Sequence, residues 1–394
     1  MSNWIIAAGS LVVLAVAVVI WFVLLRRYGG QEASVQLDAI RTAGTLVIGT
    51  GGAVALLLTA RRQRYTELTL VHTDRDATER RITELYTKAA DQLGSEQALV
   101  RLAGLYALER LAHSTVEHRQ TIVDVICAYL RMPYQLPTVQ GSRPEHAHQQ
   151  EQQVRLTAQN ILLRNLRVVP QRQRWWQRTP PPTAPTWPDI RLDLTGALLI
   201  DFSLPECHLD HVDFAEAQFT GEADFNDTQF TGRADFKGVQ FTGGADFNDT
   251  QFTKVAYFVG AQFTDEAAFN RAQFTGRVDF NGTQFTGRAY FVGAQFTNGA
   301  DFARAQFTGG ADFNNTQFTG WAGSNFDGAQ FTGGAYFTHA EFIGGVSLVG
   351  ARVDSDVEPG TVWPPGWITR SAQPDTGEDP AFLYLTRAEK RPDA

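Results

Sequence analysis

Residues 223–252 read ADFNDTQFTGRADFKGVQFTGGADFNDTQF, and phenylalanine recurs along them at alternating gaps of five and six residues. The same rhythm runs from Phe214 to Phe318 and resumes from Phe326 to Phe342. Neither the 3.6-residue period of a helix nor the two-residue period of a strand accounts for it. A fixed short period predicts a solenoid, in which each unit buries its apolar residue only by stacking on its neighbours.

The repeating unit is A-(D/N/Q)-F-x-x, because a small or β-branched residue such as Ala223 or Thr228 stands two positions before each phenylalanine. This unit closely resembles the pentapeptide-repeat family, whose signature is A-(D/N)-(L/F)-x-x, from about Arg191 to Val353. The resemblance implies an all-β, right-handed quadrilateral β-helix with four units per coil over residues 190–353. Every second unit carries an extra residue in a glycine-rich turn, where we expect positive φ. One coil would then run, for example, from Gln218 to Val239.

In such a coil the phenylalanine and the small residue before it face inward, and the residue between them faces outward. With this coil length, two outward columns contain only glutamine, and we expect their amides to satisfy each other's hydrogen bonds. One column holds Gln218, Gln240, Gln262, Gln284 and Gln306, and the opposite one holds Gln229, Gln251, Gln273, Gln295 and Gln317.

Two further outward columns carry carboxylates but are interrupted by Ala268 and Tyr290 in one and by Tyr257 in the other. Stacked aspartates repel one another, so we expect them to serve solubility or a partner. Trp321 lies where the phenylalanine gap widens to eight residues, and it either covers a corner of the coil, the interpretation we favour, or is a contact residue. The candidate interaction surface comprises Asp224, Asp246, Asp312, Asp235, Asp279, Asp301 and Trp321.

The N-terminal region, residues 1–65, is apolar enough to predict a hairpin of two transmembrane helices. Residues 4–25 carry no charge and would span about 33 Å as a helix, enough to cross a bilayer. Residues 42–60 form a second uncharged run with glycine and alanine four residues apart, a spacing that lets two helices approach closely. A cleaved signal peptide and a buried or re-entrant second segment are the alternatives. Arginines that follow the second run favour a cytoplasmic C-terminal body in a multi-pass membrane protein.

Residues 70–168 show helical periodicity and predict a small all-α region of four helices. Capping boxes at Asp76/Glu79 and Ser114/Glu117 mark two of the starts, and the fourth helix is expected over about 150–166. The stretch VRLAGLYALERLA, residues 100–112, is similar to one helix of a HEAT or armadillo array, although a plain helical bundle fits equally well.

The segments outside these regions are interpreted as connections and ends. Residues 137–148 are a polar connection, and residues 169–189 form a proline-rich linker. In the region 354–394, Trp363, Pro364, Pro365 and Trp367 are expected to cap the last coil. The tail beyond Asp375 is expected to be disordered.

No constellation of residues predicts an enzyme, a cofactor or a metal site. His208 and His211 flank Asp210, but the repeat places the two histidines at different points of the coil, and two ligands without a third do not make a site. No phosphate-binding loop or dinucleotide fingerprint is present. Cys127 and Cys207 cannot form a disulfide framework, and we expect both to behave as small buried apolar residues.

These observations favour a non-catalytic, membrane-anchored scaffold or interaction protein of bacterial type. Its expected partners are the lipid bilayer and an unknown protein, with self-association through the membrane helices or the solenoid ends as a further option and no direct nucleic-acid contact. A spacer is a simpler interpretation. The alternative is a DNA mimic, because some pentapeptide-repeat proteins imitate duplex DNA with an acidic β-helix and bind DNA gyrase. Residues 190–352 carry 19 acidic and 9 basic side chains, a field that would attract a basic groove.

The membrane hairpin predicts that the connection between its helices and the region after them lie on opposite sides of the membrane. Reporter fusions made after Gln31 and after Asp76 should differ in location, because one span separates them. Activity of paired cytoplasmic and extracytoplasmic reporters measures this, and two fusions on the same side would contradict the hairpin.

Overall fold

The structure is a computed structural model that describes residues 79–134, 145–168, 185–321, 323–354, 360–373 and 378–388, with isolated positions between 15 and 63. The chain divides into two compact units, Met1–Glu84 and Leu85–Ala394. Most of residues 4–25 and 42–60 lie outside the described residues, as does the first capping residue, Asp76. No helix among the described residues has the length and apolar character that crossing a bilayer requires.

The described residues of the all-α region form four helices, as the periodicity predicts. Residues 79–93 form α1, and a short 3-10 turn, Val116–His118, precedes α3. The other helices are α2 (Ala98–Ser114), α3 (Arg119–Arg131) and α4 (Glu145–Leu166).

Two local predictions in this region are wrong. The second capping box does not form, because Ser114 ends α2 and its hydroxyl donates to the carbonyl of Leu111 (3.0 Å), while no side chain caps α3. The polar connection is shorter than expected, because α4 begins at Glu145 and includes His146 and His148. Residues 146–149, which are polar apart from Ala147, continue the helix, although none of them is buried.

Strands of two or three residues form most of the solenoid, and they pair in parallel between successive coils. One sheet of eight strands contains Arg191–Asp193, His211–Asp213, Ala234–Asp235, Ala256–Tyr257, Val278–Asp279, Ala300–Asp301, Ser324–Asn325 and Val346–Ser347. A second sheet of seven strands contains His208–Leu209, Gln229–Phe230, Gln251–Phe252, Gln273–Phe274, Gln295–Phe296, Gln317–Phe318 and Glu341–Phe342.

The remaining two faces join into one sheet through the longer strands Leu198–Ser203 and Gln218–Asp224. On one of these faces lie Ala245–Asp246, Ala267–Ala268, Ala289–Tyr290, Ala311–Asp312 and Ala335–Tyr336. On the other lie Gln240–Phe241, Gln262–Phe263, Gln284–Phe285, Gln306–Phe307, Gln330–Phe331 and Arg352–Asp354, followed by Phe382–Arg387 and Trp367–Ser371. The result is a β-solenoid of about seven turns.

The register confirms the predicted coil length. Gln251 pairs with Gln229 in the coil before it and with Gln273 in the coil after it. One coil therefore begins at a glutamine and ends just before the next glutamine of the same column. The first coil is two residues shorter, because Arg191 pairs with His211. At the widened phenylalanine gap the coil lengthens by two residues, because Gln306 pairs with Gln330.

The core consists of four columns of stacked phenylalanine rings. Within each column, successive rings lie 4.6 to 5.1 Å apart between centroids, close to the spacing of neighbouring strands. Rings of two columns also meet edge to face, as Phe258 does with Phe269 at 5.6 Å and 90°. The small residues two positions earlier are buried beside them, and Ala234 and Ala256 have no exposed surface. The inward and outward phase predicted from the sequence is therefore confirmed.

The glycines of the lengthened turns serve close approach more often than positive φ. Gly221 has φ of 76°, as expected, but Gly276 does not need a left-handed backbone. A Cβ built on Gly276 would lie 2.1 Å from the carbonyl oxygen of Lys254 in the preceding coil. Successive turns therefore touch through their backbones, and a side chain at this point would separate the coils.

The helical region covers the N-terminal end of the solenoid. Gln159 of α4 donates to the carbonyl of Ile200 (2.7 Å) and accepts from its N–H (3.1 Å). Gln120 of α3 makes the same pair of bonds with Arg191, at 2.9 and 3.0 Å. Each side-chain amide thus takes the place of a missing strand against an exposed sheet edge. The end of the expected linker also packs here, because Trp187 is fully buried and its backbone N–H donates to the carbonyl of Asn165.

The C-terminal end is covered as the sequence predicts, although by more of the chain. The Trp363 ring lies 5.4 Å from Phe331 and 6.3 Å from Phe337, at the end of two ring columns. Beyond it, Trp367–Ser371 and Phe382–Arg387 form an antiparallel pair that continues the sheet. The prediction that the tail beyond Asp375 is disordered is therefore wrong for residues 378–388, which include the strand that pairs with the last coil.

The ring columns predict a large difference between inward and outward substitutions. Phe258→Ala should lower the free energy of unfolding by about 3–5 kcal/mol, the usual loss for a buried aromatic ring. Gln262→Ala, at an exposed position, should cost less than about 1 kcal/mol. Urea unfolding of the two variants measures both, and equal losses would contradict the assigned phase.

Candidate functional site

The outward columns are the candidate functional site, and strand pairing confirms all four. Asp224 pairs with Asp246, which is followed in the same column by Ala268, Tyr290 and Asp312. The opposite carboxylate column contains Asp213, Asp235, Tyr257, Asp279 and Asp301. One glutamine column is continuous from Gln218 to Gln330, and the other is continuous from Gln229 to Gln317.

The glutamine side chains do not hold each other, contrary to expectation. Within the described solenoid, no side-chain hydrogen bond involves any glutamine from Gln218 to Gln317, and most of these amides are exposed. At the column ends the same position is occupied by His208, Glu341 or Arg352. The fold therefore accepts other side chains here, although every central coil has glutamine.

A threonine follows two positions after each of these glutamines. The tripeptide Gln-Phe-Thr occurs eleven times from Gln218 to Thr332, so amide and hydroxyl alternate on both faces. Some hydroxyls bond to the coil before, as Thr242 does with the carbonyl of Phe219 (3.1 Å). The threonine thus has a structural role. The outward glutamine has no comparable hydrogen bond within the solenoid.

The aspartates of the carboxylate columns stabilise turns. In each case Oδ1 accepts the backbone N–H of the residue two positions later, as Asp246 does from Asn248 at 2.8 Å. Asn325 does the same with Asp327 at 3.0 Å, so the bond needs an acceptor oxygen and no charge. The aspartates that share this geometry are Asp193, Asp213, Asp224, Asp235, Asp246, Asp279, Asp301 and Asp312.

Neighbouring charges act differently on individual carboxylates. Burial, together with the charges of Asp224, Asp249 and Asp227, raises the pKa of Asp246. The hydrogen bonds from Arg271 instead lower the pKa of Asp249. Neighbouring carboxylates therefore add to the effect of burial at Asp246, although this carboxylate also accepts the turn hydrogen bond from Asn248.

The negative charge is concentrated in the N-terminal half of the solenoid. Residues 190–269 carry 14 acidic and 4 basic side chains, whereas residues 270–352 carry 5 of each. An evenly charged rod, which the imitation of a duplex requires, is not the distribution in this chain. The acidic end lies beside the helical region, and the C-terminal half is neutral.

Trp321 does not cover a corner, contrary to the favoured interpretation. Its side chain is 99% exposed. It lies apart from the carboxylate columns, on a turn between two faces. The structure thus does not bring the seven predicted residues into one site, and it places them on two opposite faces and one edge.

The residues considered for chemistry remain separate. His208 lies in the seven-stranded sheet and His211 in the eight-stranded sheet, and His211 contacts Asp210 at 2.8 Å. No three His, Cys, Asp or Glu side chains in the described part of the chain are placed to hold a metal ion. Cys127 and Cys207 are both buried, as expected, and burial raises the pKa of each thiol to about 12.

Comparison with known proteins identifies the repeat. Six overlapping stretches match the protein-family model described as "Pentapeptide repeats (9 copies)": residues 204–251, 236–284, 247–295, 280–323, 291–340 and 321–358. No curated protein and no solved structure matches the chain.

The turn bond predicts how Asp246 responds to substitution. A raised pKa means that the folded chain binds the proton more tightly than the unfolded chain, so the charge costs stability at neutral pH, and this cost disappears as the pH falls through the raised pKa. Asp246→Asn keeps the acceptor and removes the charge, so it should be at least as stable as the wild type at neutral pH. Asp246→Ala should be less stable than Asp246→Asn by about 1 kcal/mol. Urea unfolding measures both, and equal stability of the two variants would refute the turn bond.

Proposed function

We propose that this chain, whose solenoid belongs to the pentapeptide-repeat family, is a membrane-anchored scaffold that presents the two glutamine faces to a partner protein. The observation that carries the proposal is the identity of the outward glutamine in every central coil. Side chains at other outward positions of the same coils vary, as Asp235, Tyr257 and Asp279 do in one column. The fold does not fix this position, yet it is glutamine eleven times in the two columns. A surface that binds a partner explains this best.

The construction of the solenoid supports a presenting role. Stacked rings make a rigid body, and both of its ends are covered, by Gln120 and Gln159 at one end and by Trp363 at the other. Covered ends leave the faces and edges as the surfaces for contact. Self-association through the solenoid ends is thus disfavoured, and association through the membrane helices stays a proposal.

The membrane anchor rests on the sequence of residues 4–25 and 42–60. Two uncharged runs of sufficient length, with arginines after the second, support a multi-pass protein whose solenoid lies in the cytoplasm. An anchored rigid solenoid would hold a bound partner at the membrane surface. The proposed role is non-catalytic. Its support is that the outward side chains of the solenoid repeat regularly along the faces and turns, as a binding surface does.

The DNA mimic is the weaker alternative. It depends on the carboxylates of Asp224, Asp246 and Asp312, which also accept turn hydrogen bonds. Ala268 and Tyr290 interrupt that column, and the excess of acidic side chains is confined to one half of the solenoid. A phosphate ladder has charge at regular intervals along its whole length.

Substitution of one glutamine face tests the scaffold. The full-length chain, purified from membranes in detergent, should lose its co-purifying partner when Gln262, Gln284 and Gln306 are changed to arginine, because charge replaces a neutral surface without altering the inward rings. The same change on the opposite face, at Gln251, Gln273 and Gln295, shows which face is used. Quantitative mass spectrometry of the co-purified proteins is the measurement.

A matched control introduces three arginines elsewhere on the solenoid. Glu222 lies where the long strand Gln218–Asp224 passes from one face to the next, and Asn298 and Thr338 lie on turns. Their replacement by arginine changes charge without touching the outward glutamines. This control should keep the partner. A partner that survives in both glutamine variants, or is lost equally in the control, would refute the proposed use of these faces.

A further inference from the structure

One edge of the solenoid differs from the other three in composition. We call it the Trp321 edge and define it by the turns that follow the second to seventh strands of the seven-stranded sheet: residues 231–233, 253–255, 275–277, 297–299, 319–321 and 343–345. The turn after the first strand carries Asp210, which is paired with His211. Its turns lie directly on one another, because a Cβ on Gly276 would overlap Lys254 and one on Gly344 would lie 2.0 Å from the carbonyl oxygen of Gly320. The edge is therefore a continuous ridge along the solenoid.

The C-terminal part of the Trp321 edge is apolar and exposed. Trp321 is 99% exposed, and Ile343 on the adjoining turn is 72% exposed. Ile343 occupies the position that is Thr319 in the preceding coil, and its N–H donates to the carbonyl of Phe318. Two large apolar side chains in water are costly unless something covers them.

The N-terminal part of the same edge carries one cation on each of three successive turns: Arg233, Lys254 and Arg277. Arg233 pairs with Asp235, but the arginine side chain is 53% exposed and the aspartate side chain only 5%. A guanidinium nitrogen of Arg277 lies 3.8 Å from a carboxylate oxygen of Asp301. Here too the cation is the more exposed partner, with 65% of the arginine side chain exposed against 22% of the aspartate side chain. Lys254 is exposed and makes no ion pair with any residue that the structure describes. The positive groups thus face solvent, and their carboxylates lie behind them.

The opposite side of the solenoid is acidic. The diagonally opposite edge carries Glu222, Asp265 and Glu266, followed by Arg288 in the next coil, and a third edge carries Asp227 and Asp249. Arg271 on that third edge is paired with Asp249 through two hydrogen bonds. The cross-section of the N-terminal coils therefore has a positive edge and negative edges across from it, and an anionic surface would turn the positive edge towards itself.

We propose that the Trp321 edge binds the surface of an anionic lipid bilayer. Trp321 and Ile343 enter the interfacial region, where the indole places its ring among the headgroups and keeps its N–H near water. Arg233, Lys254 and Arg277 contact the lipid phosphates, an attraction worth about fivefold in affinity for each cation. Four turns separate Arg233 from Trp321, about 19 Å along the axis, so the solenoid lies along the membrane with its acidic edges turned away.

The inference rests on the proposed function only in placing the solenoid near a membrane. In this proposal the solenoid itself contacts lipid headgroups, whereas residues 1–65 anchor the chain in the bilayer. The two can be measured separately in the full-length chain.

The test reads the environment of Trp321 in the full-length chain reconstituted with lipid vesicles. Lipids with brominated acyl chains quench tryptophan fluorescence on contact, and the difference between the wild type and Trp321→Phe isolates this one indole. We expect it to be quenched in vesicles of phosphatidylcholine and phosphatidylglycerol and to be unquenched in phosphatidylcholine alone. The variant R233Q/K254Q/R277Q should lose most of the Trp321-dependent quenching.

Matched controls use residues off the edge. The variant R271Q/R288Q/R304Q removes three cations from the other three edges and should keep the quenching. Trp367→Phe removes a buried indole of the C-terminal cover and should leave the dependence on phosphatidylglycerol unchanged. Circular dichroism of each variant verifies that the solenoid is folded.

The outcomes test lipid binding by the Trp321 edge separately from anchoring by residues 1–65. Absence of Trp321-dependent quenching in vesicles that contain phosphatidylglycerol overturns the edge, whether or not the chain floats with vesicles after alkaline carbonate. A chain that carbonate releases, but whose Trp321 is still quenched beforehand, supports the edge and overturns the anchor. Protection of Trp321 from an aqueous quencher by duplex DNA or RNA, without quenching by lipid, would identify a polyanion site and overturn the lipid proposal.

Discussion

The stacking of phenylalanine on phenylalanine from one coil to the next is the interaction on which the rest of this structure depends. Rings repeat at 4.6 to 5.1 Å, and the strands that carry them repeat at nearly the same distance. Each coil can therefore complete its backbone hydrogen bonds and its ring contacts in a single geometry. Where the inward residues are Leu199 and Leu204, the coil is two residues shorter, and it lengthens where phenylalanine takes over. The size of the inward side chain and the length of the turns thus change together.

The repeat made the solenoid predictable in detail. Its period gave the coil length, the inward residues and all four outward columns, because each follows from the geometry of one unit. The helices were predictable in number but less so in their ends. Leu99 belongs to a run of leucines spaced by three, yet it is exposed while Leu105 and Leu108 are buried. A spacing of three drifts around a helix with 3.6 residues per turn, so not every leucine of the run reaches the core.

The features that escaped prediction are contacts between residues far apart in the chain. Nothing in the sequence around Gln159 indicates that its amide would pair with the backbone of Ile200. The antiparallel pair of residues 367–371 and 382–387 lies against the edge of the last coil, which is far from it in the chain. The aspartates show a different difficulty: a local bond to the residue two positions later explains their frequency, whereas stacking in one column suggested only repulsion or a partner. Trp321 stood out in the sequence, but the widened phenylalanine gap did not indicate that its side chain would be exposed.

The segments that cover the two ends of the solenoid each contact only the coil next to them. Gln120 and Gln159 contact residues of the first coil, and Trp363 contacts rings of the last. Neither set of contacts depends on how many coils lie between. A duplication or loss of one whole coil would therefore leave both ends intact and move them by one strand spacing, about 4.8 Å. The solenoid can therefore change its length in steps of one coil. The number of coils can vary in evolution without altering the contacts that cover the two ends.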